Sequence, residues 1–263
     1  MSRHDTMFKK KFGQNFLINE AIPRRIAESL TYTDNVVEIG PGIGTLTYEL
    51  CAVCDSVTAV EIDTDLLPIL DETLSEFDNV KILNADILKT DMSTLLTGEY
   101  SVAANLPYYI TTPVVMYLLE SAIKPREIII MVQREVADRL CAKAGDKEYG
   151  AITASVAWYG KAEKLFNVSA GSFMPAPKID STVMKITLHQ SPPYDVKNEA
   201  ILHRVIRGAF AQRRKTLANS LSSEFSHLGK QKITEIITSC GFDENIRGER
   251  LSIADMVKIA NEI

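Results

Sequence analysis

Apolar positions run in short blocks through the first two thirds of the chain and at helical spacing through the last third. Residues 35–39, 56–62, 80–83 and 100–104 are brief apolar runs that read as short strands. Between and before them, 21–30, 45–54 and 113–121 have helical length, with Pro23 tolerated in a first turn. Residues 127–132 predict a fifth strand and 133–140 the start of an amphipathic helix. Two later strands are expected, at 154–158 and 181–188, and the proline-rich stretch 173–178 between them reads as an ordered loop. After a linker, Ser191-Pro192-Pro193-Tyr194, the pattern is wholly helical over 199–210, 215–222, 230–240 and 252–263, with Gly241 where a helix C-cap belongs.

The chain has 263 residues, 46% of them hydrophobic, enough for one large domain over 1–190 and a small helical one over 191–263. No apolar run approaches the roughly 20 residues that span a bilayer. Residues 1–12 are basic and polar and lack the apolar core of a signal peptide, so a cytoplasmic protein is expected. The spacing Cys51-Ala52-Val53-Cys54 suits a metal, but no second pair stands near it and it falls in an apolar helix; two buried thiols are expected there. Four scattered histidines point away from a metal site or a hydrolytic triad.

A net charge of -5 does not announce a nucleic-acid binder, but its distribution is uneven. Residues 31–100 hold fourteen acidic against two basic side chains, and residues 201–250 hold nine basic against five acidic. Either a basic substrate face adjoins an acidic scaffold, or charges cluster on ordinary solvated faces.

The first apolar run leads into Gly40-Pro41-Gly42-Ile43-Gly44 and then a helix. Strand, glycine turn and helix open a nucleotide-binding α/β unit. The spacing is not that of dinucleotide enzymes, and no Lys-Ser/Thr of a phosphate loop follows. Glu61 ends the second run and can accept both hydroxyls of a ribose. Asp86 follows the third and can accept from an adenine amino group, with Ile87 able to cover the ring. Together they describe an adenosine ligand without a pyrophosphate, as in S-adenosylmethionine.

Asn105-Leu106-Pro107-Tyr108 ends the fourth run. An exocyclic adenine amine is a weak nucleophile because its lone pair is delocalised into the ring. Two acceptors that take its two hydrogens hold that lone pair towards an electrophile. The Asn105 side-chain oxygen can be one and the Leu106 carbonyl the other, since Pro107 keeps the preceding residue extended. Tyr108 offers a face on which an extruded base can stack. Phe173 is either a second such face or a plug of the core beneath its loop. Arg213-Arg214-Lys215 either meets RNA phosphates or is a solvated face.

These motifs lie in a chain that resembles the ribosomal RNA adenine N6-dimethyltransferases of the KsgA type over nearly its whole length. The resemblance rests on Lys11-Phe-Gly-Gln-Asn-Phe-Leu17, Glu38-Ile-Gly-Pro-Gly-Ile-Gly44, Asn105-Leu-Pro-Tyr108, Met131-Val-Gln-Arg-Glu-Val-Ala-Asp-Arg-Leu140, Phe173-Met-Pro-Ala-Pro-Lys178 and Arg213-Arg-Lys-Thr-Leu217. It implies a doubly wound, Rossmann-like α/β methyltransferase sheet with one antiparallel strand, plus a small all-α C-terminal domain. The implied activity is dimethylation of two adjacent adenines near the 3′ end of small-subunit rRNA with S-adenosylmethionine, by a monomer whose partner is the small ribosomal subunit. The expected cofactor set is Asn15, Leu17, Gly40, Gly42, Glu61, Ile62, Asp86, Ile87 and Asn105. Tyr109 stands where the family commonly has Asn. Two other readings remain open here: an Erm-type enzyme acting on large-subunit rRNA, and an assembly factor that acts mainly by binding.

Overall fold

The computed structural model of the chain describes residues 16–96 and 98–263. These fall into two compact units. One comprises the described chain through Arg134 together with Lys164–Thr187; the other comprises Glu135–Glu163 and Leu188–Ile263.

The first unit opens with β1 (Phe16–Leu17) and α1 (Ala21–Glu28), whose Ile22, Pro23, Ile26 and Ala27 form its buried stripe. Just before α1 the Asn19 side chain accepts from the Ala21 N–H at 3.1 Å. There follow β2 (Val36–Ile39), α2 (Thr45–Val53), β3 (Val57–Glu61), α3 (Leu67–Thr73), β4 (Val80–Asn84), α4 (Met92–Leu95), β5 (Ser101–Asn105), α5 (Thr111–Glu120) and β6 (Glu127–Gln133). Beyond them come α6 (Arg134–Leu140), α7 (Ala151–Tyr159), β7 (Gly160–Val168), β8 (Phe173–Met174) and β9 (Ser181–Leu188).

Seven strands form one sheet in the order β4-β3-β2-β5-β6-β9-β7. β4, β3, β2, β5 and β6 run parallel, and β9 pairs antiparallel with β6, Glu127 opposite Thr187 and Gln133 opposite Ser181. The core includes Ile26, Leu50, Leu70, Ala103, Ile129 and Val183, all below 4% exposed. The expected strands over 35–39, 56–62, 80–83, 100–104, 127–132 and 181–188 are all present within a residue or two. α3 and α4 were not legible as helices, being only seven and four residues long.

The expected strand at 154–158 is a helix instead. α7 carries small residues at Ala151, Ala154, Ser155 and Ala157, and Thr153 ties its first turn by accepting from the Gly150 N–H at 3.2 Å. It is apolar on almost every face, so it shows no amphipathic period. The strand of this region is β7, whose first half, Gly-Lys-Ala-Glu-Lys, hides a sheet edge behind polar residues.

The second unit is helical. α8 (Glu199–Ala211) is capped by Asn198, α9 (Leu217–Glu224) by Thr216, and α11 (Ile253–Glu262) by a reciprocal Ser252–Asp255 pair. α10 (Gly229–Ser239) ends at Gly241, φ 87°. α7 packs against α8 and α11, and Trp158 donates from Nε1 to Glu199 at 2.9 Å. The helical unit therefore reaches back across residue 190 to take in α6 and α7, because the apolar faces of α7 are covered by helices of the tail.

Candidate functional site

Sheet register assembles the site. Ile39 lies opposite both Val60 and Ala104, so Gly40, Glu61 and Asn105 occupy one end of the sheet on three adjacent parallel strands. Glu61 in turn pairs with Asn84, which puts Asp86 beside it. β2 is where the strand order reverses, and the crevice outside the carboxyl ends of strands at such a point is the ligand site of open α/β sheets. A cavity of about 350 Å³ opens there.

Gly40, Gly42 and Gly44 all have positive φ, at 70°, 63° and 88°. At Gly44 a Cβ would also stand 3.2 Å from Leu70 Cδ2 and Thr73 Cγ2, so this glycine lets α2 approach α3. Gly42 turns its N–H to Glu61 Oε2 at 3.1 Å, and Asp63 N–H meets Glu61 Oε1 at 2.8 Å. Glu61 is 3% exposed, and burial raises its pKa despite these bonds. Glu38, 1% exposed, lines the same cavity; burial pushes its carboxyl up to about 8, and the Glu61 charge reinforces the rise. Glu38 Oε2 and Thr47 Oγ1 are buried with no hydrogen-bond partner among the described residues.

Asp86 Oδ1 accepts from the Leu88 N–H at 3.1 Å and Oδ2 pairs with Lys89 at 3.1 Å. Ile87 beside it is buried, whereas Ile62 is 59% exposed at the rim. Leu17 reaches the same cavity from β1, which pairs Leu17 with Phe173. Phe173 lines the cavity and is also part of the apolar core.

Asn105 ends β5, and the chain turns at once, the Ile110 N–H closing on the Pro107 carbonyl at 3.1 Å. Neither the Asn105 side-chain amide nor the Leu106 carbonyl makes a hydrogen bond among the described residues. Tyr108 is held through its hydroxyl, 2.9 Å from Ser181 Oγ, leaving its ring along the cavity wall.

A model of the ribosomal RNA adenine dimethylases matches residues 5–263. The chain belongs to the ribosomal RNA adenine dimethylase family. It is 46% identical to ribosomal RNA small subunit methyltransferase A of Lachnoclostridium phytofermentans over all of this chain and 94% of that protein. The protein of the same name from Clostridioides difficile is 43% identical, over all of this chain and 93% of the other. In fold it matches the crystal structure of a dimethyladenosine transferase from Plasmodium falciparum, with a TM-score of 0.81 at 24% identity over 93% of this chain and 95% of that one. It also matches the 23S rRNA methyltransferase ErmE, with a TM-score of 0.74 at 24% identity over 94% and 99%.

Enzymes of the dimethylase family use S-adenosylmethionine, and this protein is such a methyltransferase. Its cavity suits the cofactor on physical grounds. The lining holds Glu61, Asp63 and Asp86, with the protonated Glu38 among them, and no Lys, Arg or His among the described residues. Such a wall repels a pyrophosphate and favours a ligand carrying a sulfonium and an ammonium.

Of the residues singled out from the sequence, Leu17, Gly40, Gly42, Glu61, Ile62, Asp86, Ile87, Asn105, Leu106, Pro107, Tyr108 and Phe173 all line this one cavity. Asn15 lies outside the described residues. Arg213, Arg214 and Lys215 are exposed in the second unit, where Arg213 donates to the carbonyls of Lys147 and Tyr149 at 3.0 and 3.1 Å. Glu38 and Ser181 were missed. An acid inside the apolar run Val36-Val37-Glu38-Ile39 is a signal that could have found Glu38; nothing near Ser181 pointed to Tyr108. Cys51 and Cys54 are buried at 5% each, and burial raises their thiols to about 12 and 11. Among the described residues no cluster could hold a metal ion, and no helix is long and apolar enough to cross a membrane.

Proposed function

We propose that this protein dimethylates N6 of two adjacent adenines near the 3′ end of small-subunit rRNA, late in assembly of the small subunit. The observation that carries this reading is a pair of acceptors, the Asn105 side chain and the Leu106 carbonyl, that make no hydrogen bond among the described residues and stand at the lip of an acidic cavity with no Lys, Arg or His in its described lining. The names of the full-length relatives support the choice of ribosomal subunit.

Asn105 Oδ1 and the Leu106 carbonyl take the two N–H hydrogens of the target amine and turn its lone pair inward. Tyr108 stacks on the extruded adenine, with Phe173 closing the far side. Glu61 accepts from the ribose hydroxyls of the cofactor, Asp86 from its adenine amine, and the Gly40–Gly42 turn and Leu17 pack against the remainder. S-adenosylmethionine supplies an activated methyl group when bound. Once methylated, the nitrogen is a strong acid that gives its proton to solvent, so no base of high pKa is needed; positioning and electrostatics supply the rate. Arg214, Lys215 and the remaining N–H groups of Arg213 meet RNA phosphates. The enzyme acts as a monomer in the cytoplasm.

The test offers labelled cofactor to unmethylated small and large subunits. Label in adenines of the small subunit is expected; label confined to large subunits would replace this reading with the Erm-type one. Asn105→Ala, at saturating cofactor, should lower single-turnover transfer by two or more orders of magnitude, about 2.7 kcal/mol. A folded variant working within a fewfold of the parent would sink the mechanism.

A further inference from the structure

Tyr109 is 66% exposed, more than any other large apolar or aromatic side chain described. A solitary exposed tyrosine needs no explanation, but this one lines the mouth of the catalytic cavity, immediately after the ring assigned to the target base. It is aimed by a fixed backbone. The turn at Pro107 closes on Ile110, and Ile110 accepts from Val114 in the first turn of α5, at 3.1 and 3.0 Å. Its neighbour Tyr108 is tied to Ser181. The Tyr109 ring stacks on no other ring and its hydroxyl makes no hydrogen bond among the described residues. A flat aromatic is thus held out to solvent on a rigid turn, one residue from the site of base insertion.

We propose that Tyr109 is a second base-binding face, which stacks on the nucleotide covalently next to the adenine in the cavity. This rests on the rRNA reading above and extends it to a specificity residue. Extruding one adenine breaks its stacking on its neighbour, so the neighbour presents a bare π-face at the cavity mouth. Every base has such a face, and aromatic stacking tolerates sequence. One subsite therefore serves both target adenines, each of which brings a different neighbour. Tyr109 positions the RNA; it does not touch the reacting nitrogen.

The experiment is a cycle between protein and RNA. Unmethylated small subunits are reconstituted with an abasic nucleotide on the 5′ or the 3′ side of one target adenine, and methylation of that adenine is followed. Tyr109→Ala should lower kcat/KM on intact subunits about five- to a hundredfold, the loss expected for one base-stacking aromatic, mainly through KM. Tyr109→Phe should stay within twofold of the parent, and Tyr109→Leu should behave as Ala. On one of the two abasic substrates the parent should show the same loss, and Tyr109→Ala should add nothing to it. Calorimetry should give unchanged S-adenosylmethionine affinity in Tyr109→Ala. Additive losses on both abasic substrates, a Tyr109→Ala enzyme within twofold of the parent, or a fallen cofactor affinity would each overturn the proposal. Failure of the wider rRNA reading is distinct, since the parent enzyme would then leave intact small subunits unmethylated.

Discussion

The phenolic oxygen of Tyr108 lies 2.9 Å from the hydroxyl of Ser181, although the residues stand 73 positions apart in the chain. Ser181 is 0% exposed and opposite Gln133 at the start of the antiparallel strand β9. The strand that departs from the parallel pattern thus holds Tyr108 through its hydroxyl. Ser181→Ala should lower single-turnover methyl transfer by about fivefold, the worth of roughly 1 kcal/mol for one hydrogen bond. Tyr108→Phe removes the same bond from the other side, so the double variant should be no worse than either single one. Additive losses would mean that the two hydroxyls act separately.

Glu61, at the end of β3, is tied to the glycine turn by its bond from Gly42 at 3.1 Å. Glu61→Ala should weaken S-adenosylmethionine binding by roughly 1.5–3 kcal/mol, the scale of hydrogen bonds to a charged group. Titration calorimetry on the folded variant is the measurement, and an unchanged affinity would remove Glu61 from the cofactor set.

Glu38 keeps its proton up to about pH 8 in the folded chain, against an ordinary value of 4.5. Between those values the unfolded chain gains by ionising and the folded chain does not, so the contribution of Glu38 to stability falls as pH rises and levels off above about 8. Glu38→Gln keeps a neutral side chain of the same shape. Denaturant titrations should show the variant matching the parent near pH 4 and exceeding it by a few kcal/mol near pH 8. Parallel curves across that window would show Glu38 ionised in the fold.

A second buried carboxylate is fully answered. Glu127 accepts from the Thr31 and Tyr32 N–H groups at 2.6 and 3.0 Å and pairs with Lys185 of β9, itself 7% exposed. Burial works to raise its pKa, but Lys185 and the Thr31 and Tyr32 bonds outweigh it and hold the carboxyl below its ordinary value. Lys185→Met leaves that charge without its cation and should destabilise the protein by about 3–5 kcal/mol in denaturant melts. A loss under 1 kcal/mol would show that the backbone donors alone suffice.

That the singled-out residues gather in one cavity was more legible than the scaffold around it. Gly40, Glu61, Asp86 and Asn105 each end an apolar run, and parallel register then places run-ends together with no further information. α7 was misread because a helix buried on all sides loses its period, and β7 was missed because a strand at a sheet edge carries polar residues. The bond between Tyr108 and Ser181 could not be read, since it depends on how β9 enters the sheet. The cut at residue 190 followed composition, which does not register that Trp158 is covered by α8.

That covering has a consequence for the order in which the chain can fold. α7 emerges during synthesis well before α8 and α11, the helices that pack on it, and Tyr149 waits for the carbonyl of Leu251, 102 residues later, to receive its hydroxyl. Such long-separated contacts close slowly and late. A fragment ending at residue 190 would leave Trp158 and its neighbours uncovered, a sticky helix suited to capture by a chaperone. The tail is thus the lid on a hydrophobic segment made much earlier in the chain.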